Sequence, residues 1–525
     1  MHSPRIFGLA ALLLSTSGVV ACGDTPASDT GGEPGQDSGP SYVDAGRDAT
    51  STTIGAGPDA SSSGRDATAP EADASTTTPD ASTGPVDAAT SADASTTTPD
   101  ASTQGPVLPA DPPAGSTPAS LGYGVRGAKH YYVIGNALVA GDSALALIVT
   151  TPAASQRVDL FLDGAFAGTA ASGAGAIALS GDLGALAPGK HVALIVERGQ
   201  SKAFARIDFL RGHPYYVFVS NDWDVSDNDP TNAVWKLEEG LHARHAELKI
   251  THFVGPYTFT DPAVTAARRS EIVSWVLGMK SAHSDEIGLH IHPYCNFVTA
   301  AGVKCRTRPS FQYASGSTQT DTTGYTVVLA EYDQAETLKL LKSADALFVK
   351  NGLGKPTSFR AGGWTAEAHT LQALADDRFV IDASGANWSR LTDWSGALLY
   401  DWTMAHWAPI DDMSQPWYPS VGNMLSSAAP RLPILEVPDN GILVDYITGP
   451  EMVKVFDENW AGEALTTPKV LSIGYHPVSL AQNPSWASRL HTAMDHADQF
   501  LASTGNGPVF YVRGSDLPKG LPLKP

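Results

Sequence analysis

The chain has 525 residues and a net charge of −21, and it shows no basic cluster or arm, which argues against a nucleic-acid partner. Three cysteines exclude a disulfide-built scaffold, a multi-cysteine zinc ribbon and an iron–sulfur centre. No apolar run beyond the N-terminus approaches the roughly 20 residues that a membrane span needs.

Arg5 precedes an apolar stretch over residues 6–20 that ends Val19-Val20-Ala21-Cys22. It is too short for a span and reads as an export signal. Small residues before a cysteine resemble the lipobox of bacterial lipoproteins. That resemblance implies removal of residues 1–21 and lipid on Cys22, which would anchor the chain to the cell envelope, with the rest in the periplasm or at the cell surface.

Residues 22–114 are Ala, Ser, Thr, Asp, Gly and Pro with almost no large apolar side chain, and one twelve-residue sequence recurs at 72–83 and 92–103. Such a composition cannot repay the entropy of ordering and predicts a disordered stalk. Segments 144–150, 158–162, 176–179, 191–196 and 203–210 then read as strands, separated by turns such as Asp163-Gly164. Short strands at this spacing predict a small β-sandwich of immunoglobulin-like type over 115–212.

From residue 213 strands alternate with helices. Strands are expected at 215–220, 250–254, 287–291, 358–361, 379–381, 434–437, 470–475 and 509–512. Helices are expected at 232–248, at 261–282 with Asp261 as N-cap, and at 334–349, 365–376 and 484–502. Alternation of this kind implies a parallel α/β architecture, whose site lies at the C-terminal ends of the strands.

Four strand ends carry chemistry there. The first ends in Asp222-Trp223-Asp224 and the third in His290-Ile291-His292. Residues two apart share a face of an extended segment, so each pair points one way. Another end carries Arg360 and a late one carries His476. One carboxylate and two imidazoles leave open positions on a divalent ion, most simply Zn²⁺, with cobalt, nickel or iron also suited. The second carboxylate can take a proton from water, the arginine can fix it, and the late imidazole can protonate a leaving group. His252, in the second strand, is a further candidate to face the site.

The order of these residues resembles the polysaccharide deacetylase (NodB-homology) superfamily, family 4 carbohydrate esterases included, over about 213–525. The resemblance implies a distorted seven-stranded (β/α) barrel, a divalent metal and removal of N- or O-acetyl groups from a glycan. By analogy Asp222 is the base, Asp224, His290 and His292 the metal ligands, Arg360 the tether of the base and His476 the general acid. Trp223 parts the family's usual Asp-Asp pair, which leaves the roles of Asp222 and Asp224 open to exchange. Histidines four apart are usual in the second motif. That offset falls on Tyr294, so His292 serves instead. For the fourth motif either Asp382 or Asp439 is expected to orient His476. Trp364, after the arginine, and Trp223 are expected to contact sugar. Cys295 and Cys305 are expected to pair and tie the loop after the histidines, and 293–332 to form a rim or lid. Two other functions fit the same residues: a binding or structural lipoprotein with little turnover, and a metal-dependent amidohydrolase acting on a small C–N substrate.

Overall fold

The computed structural model describes residues 105–153, 156–171 and 175–525. The export signal, Cys22 and the repeats at 72–83 and 92–103 lie outside the described residues. No helix among the described residues is long and apolar enough to cross a membrane.

The first eight strands are β1 (Gly124–Arg126), β2 (Tyr131–Val133), β3 (Ala144–Thr150), β4 (Arg157–Leu162), β5 (Ala165–Ala171), β6 (Ala176–Asp182), β7 (Gly189–Glu197) and β8 (Ala205–Gly212). They form a three-stranded sheet, β1-β3-β6, and a five-stranded sheet, β2-β8-β7-β4-β5. Alternation sets the faces: Leu145, Leu147 and Val149 of β3 and Ile177 and Leu179 of β6 are buried. They share one core with Val158, Leu160 and Leu162 of β4 and Ile195 of β7. Order begins before residue 114. Ala110 lies inside the segment read as stalk, yet its N–H donates to Ser201 O at 2.9 Å and its carbonyl accepts from Ala203 N at 2.9 Å.

Eight more strands follow: β9 (Tyr215–Asp222), β10 (Ile250–Val254), β11 (Glu286–Ile291), β12 (Ser358–Ala361), β13 (Ile381–Asp382), β14 (Leu435–Glu436), β15 (Lys469–Tyr475) and β16 (Val509–Tyr511). All are parallel, in the order β14-β13-β12-β11-β10-β9-β15, and β16 pairs with the first residues of β9. Every residue of β9, β10 and β11 is buried, as expected for parallel strands covered on both faces. The chain beyond β14 closes the sheet into a barrel. Gly441 N donates to Ser472 O at 2.9 Å and Val444 N to Gly474 O at 3.0 Å, so this segment runs beside β15. Seven of the strands follow one another from β14 to β15, and β16 lies off that path, on β9.

Helices cover the outside. The helix expected to start from Asp261 runs over Ala266–His283 and is capped by Thr265, which accepts from Arg268 N. Asp261 instead folds its carboxylate back onto Ala263 N at 2.9 Å, an Asx turn that holds Pro262 outside the helix. The helix Gln334–Lys350 starts from a capping box, Asp333 with Glu336.

The sandwich packs on the barrel at the start of β9. The Tyr131 hydroxyl accepts from Leu465 N and donates to His213 O, both at 3.1 Å. Asn136 Nδ2 donates to Tyr216 Oη at 2.7 Å and to Gly520 O at 2.9 Å. This docking lies at the end of β9 opposite Asp222.

Candidate metal centre and its acid and base

Asp222 closes β9 with its side chain turned into the barrel. Asp224 lies two residues on, and Trp223 between them faces the other way. Trp223 is 1 % exposed and packs against Trp275, with ring centroids 6.3 Å apart. Trp364, just after β12, is also buried, against Trp388 and Tyr446. Neither indole offers an open face, so the expectation that these two residues contact sugar is corrected: both are core.

The register of β11 on β12 sets His290 opposite Arg360. His290 Nδ1 therefore donates to Arg360 O at 3.0 Å, and His292 Nδ1 donates to Tyr325 O at 2.7 Å. A carbonyl can only accept, so both rings carry hydrogen on Nδ1, which leaves Nε2 of each as the atom that can bind a cation. Both Nε2 atoms point at Asp224 Oδ1, at 3.1 and 3.3 Å. Asp224, His290 and His292 are the group among the described residues whose donor atoms lie within 4.8 Å of one another. Two ring nitrogens and a carboxylate oxygen converge there. That donor set fits a divalent cation. Gly362 makes room for the His292 ring, since a Cβ there would stand 2.6 Å from it.

The two acids divide by their partners. Asp222 Oδ1 accepts from Arg360 Nη1 at 3.1 Å, whereas Asp224 is the acid grouped with His290 and His292. Arg360 is fully buried. Its Nε donates to Ala383 O at 2.9 Å, and its guanidinium lies 4.8 Å from the centre of the Phe253 ring. Burial pulls its pKa down, but Asp222, Asp439 and Asp382 outweigh burial and raise it. Burial carries the carboxyls of Asp439 and Asp382 up to about 6, the charge of Arg360 only partly opposing it. Neither acid reaches His476, which corrects that expectation.

Asp445 does reach it. His476 Nδ1 donates to Asp445 Oδ1 at 3.0 Å, while its Nε2 faces Asp224 Oδ2 at 3.5 Å. Burial lowers the pKa of this ring, but Asp224 and Asp445 outweigh it and push it up to about 10. Asp445 arrives there because the segment before it pairs with β15, whose end carries His476. Burial likewise raises Asp224, yet His476, His292 and His290 hold it well below the usual carboxylate range.

His252 does not face this site. Its ring bonds Asn221 Nδ2 at 3.0 Å and Asp285 Oδ2 at 3.1 Å, on the other side of the strands. Cys295 and Cys305 are joined in a disulfide, and the loop that follows returns to the site with Tyr325. The hydroxyl of Tyr325 donates to Asp224 Oδ2 at 2.9 Å, and that of Tyr294 to Asp224 O at 3.0 Å. Tyr294, Tyr325 and Asp445 had no place in the sequence reading of the site. Tyr294 stands two residues beyond His292 and so continues its face, a signal that was available. Tyr325 and Asp445 meet the site only through tertiary structure.

No protein-family profile matches the chain, and no curated protein matches it. Several solved structures resemble it at a distance. A family 4 carbohydrate esterase from Streptomyces lividans, in complex with acetate, is 10 % identical over 59 % of this chain and 98 % of that one, with a TM-score of 0.28. A family 4 acetyl xylan esterase from Clostridium thermocellum, in complex with cobalt, is 12 % identical over 58 % and 93 %, with a TM-score of 0.28. A 4-alpha-glucanotransferase from Thermococcus litoralis is 9 % identical over 58 % and 40 %, with a TM-score of 0.34. The functional reading rests on the side chains themselves.

Proposed function

We propose that the chain is a metal-dependent hydrolase that removes acetyl groups from a glycan. We further propose that it is exported and held at the cell envelope by a lipid on Cys22. One observation carries the catalytic reading. The electron-rich triad Asp224–His290–His292 stands between an arginine-held acid, Asp222, and a carboxylate-held imidazole, His476.

Asp224, His290 and His292 would hold a divalent cation, zinc in the first instance, which would supply a Lewis acid for the acyl carbonyl and for water. Asp222 takes the proton of the attacking water, and Arg360 keeps that carboxylate in place. His476 gives a proton from Nε2 to the departing nitrogen or oxygen of the sugar. Asp445 holds the ring by Nδ1 and stabilises its cationic state. A mere binding protein gains nothing from a base, its tether and an oriented acid around one ion.

The test is acetate release by the metal-loaded full chain from chitooligosaccharides, peptidoglycan and acetylated xylan. Release from one of these, lost in Asp222→Asn and in His290→Ala, is the expected result. A bound metal with no acetate from any glycan would overturn the glycan reading in favour of a small C–N substrate or a binding role.

A further inference from the structure

The three metal-site residues are not equally supported. His290 is braced by the backbone of the neighbouring strand, at Arg360 O. His292 and Asp224 are both braced by one residue outside the barrel strands, Tyr325. Its carbonyl accepts from His292 Nδ1 at 2.7 Å, and its hydroxyl donates to Asp224 Oδ2 at 2.9 Å. The two oxygens of Asp224 are thereby distinguished. Oδ1 faces both imidazoles, while Oδ2 is engaged by the phenol and faces His476.

Tyr325 is held by a turn built for it. Asp321 Oδ1 accepts from Thr323 N at 2.8 Å, Thr323 Oγ1 at 2.7 Å and Gly324 N at 3.1 Å. Asp321 Oδ2 accepts from Thr326 Oγ1 at 2.8 Å. Thr323 O then accepts from Cys295 N at 2.7 Å, next to the disulfide and three residues after His292. Gly324 has φ +82°, and a Cβ on it would stand 2.3 Å from Pro293 O, so only glycine lets the turn lie this close.

From this geometry we infer that Tyr325 is a positioning residue of the metal centre: it holds His292 in its Nε2-binding tautomer and confines Asp224 to one-oxygen ligation through Oδ1. The inference rests on the metal site proposed above. Confining Asp224 keeps ligand positions open for water and substrate, which a two-oxygen carboxylate would narrow. The disulfide-tied loop thus acts on the ion through Tyr325 rather than only forming a rim over it.

The test uses the full chain, with Zn²⁺ affinity measured by chelator competition and the visible absorption of the Co²⁺-loaded protein. Tyr325→Phe removes only the hydroxyl. It should weaken Zn²⁺ binding about tenfold or more, at the scale of about 10- to 100-fold seen for outer-shell partners of metal ligands. It should also alter the Co²⁺ bands, because Asp224 Oδ2 loses its hydroxyl donor, while the circular dichroism spectrum and urea midpoint stay as in the parent. Gly324→Ala, which displaces the carbonyl from His292, should weaken binding as well. Parent-like affinity and Co²⁺ spectrum in Tyr325→Phe, with the parent binding metal normally, would overturn this inference alone. A parent chain that binds neither ion would overturn the metal reading itself.

Discussion

Arg360 is a single cation enclosed by acids, and replacing it with methionine should expose what it balances. It lies 3.1 Å from Asp222, fully buried, with Asp439 and Asp382 near enough to raise its pKa. At an effective dielectric constant of about 20, a charge pair at that separation is worth about 5 kcal/mol. Removing one partner of a buried pair costs roughly 3–5 kcal/mol, because the other charge is left without compensation. Arg360→Met should therefore lower the unfolding free energy at pH 7 by about 3–5 kcal/mol. The loss should depend on pH. The carboxyls of Asp439 and Asp382 have pKa values of about 6 in the intact protein. Without the arginine each is driven to take a proton, which at pH 7 costs about 1.4 kcal/mol per group and at pH 5 costs nothing. The defect should thus be about 1–3 kcal/mol smaller at pH 5. Urea unfolding followed by tryptophan fluorescence at the two pH values measures both quantities. A loss below about 1 kcal/mol at pH 7, or the same loss at both pH values, would refute the reasoning.

Other consequences are open to measurement. His476→Asn should lower kcat about 100- to 10,000-fold on whichever acetylated glycan is hydrolysed, with the bound metal unchanged, as atomic absorption would report. Trp223→Ala should cost about 3–5 kcal/mol of stability through the cavity it leaves. In a Trp223→Phe enzyme that stays folded, KM should remain near that of the parent, which an indole used as a sugar platform would not allow. The raised pKa of Asp439 gives a contribution to stability that is fully present below its ordinary pKa of 3.8 and is lost as pH rises through about 6. Asp439→Asn should remove that slope, flattening the unfolding free energy between pH 4 and 7 by up to about 3 kcal/mol in urea titrations.

Local pattern made much of this molecule legible. The first strand is apolar throughout because both its faces are covered, and its two aspartates share a face because strands alternate. His290 and His292 follow the same rule, and the residue between each pair points into core. That rule also argued against Trp223 as a sugar contact, since it is the odd residue of its own motif. Partners brought together by the closing of the barrel were out of reach. Asp445 lies 31 residues before His476 and meets it only because the chain after β14 runs beside β15. Tyr325 sits in a loop whose path is set by Asp321, Gly324 and a disulfide, with no periodicity to announce it. Asp261 made a plausible N-cap before a proline, but it competes for its own local backbone and leaves the cap to Thr265.

Metal content, measured on the full chain and four variants after loading with Zn²⁺ and desalting, tests the central claim most directly. The parent and Asp222→Asn should each retain one equivalent, while Asp224→Ala, His290→Ala and His292→Ala should retain little or none. No metal in the parent would contradict the account. So would metal kept by Asp224→Ala but lost by Asp222→Asn, which would exchange the ligand and the base.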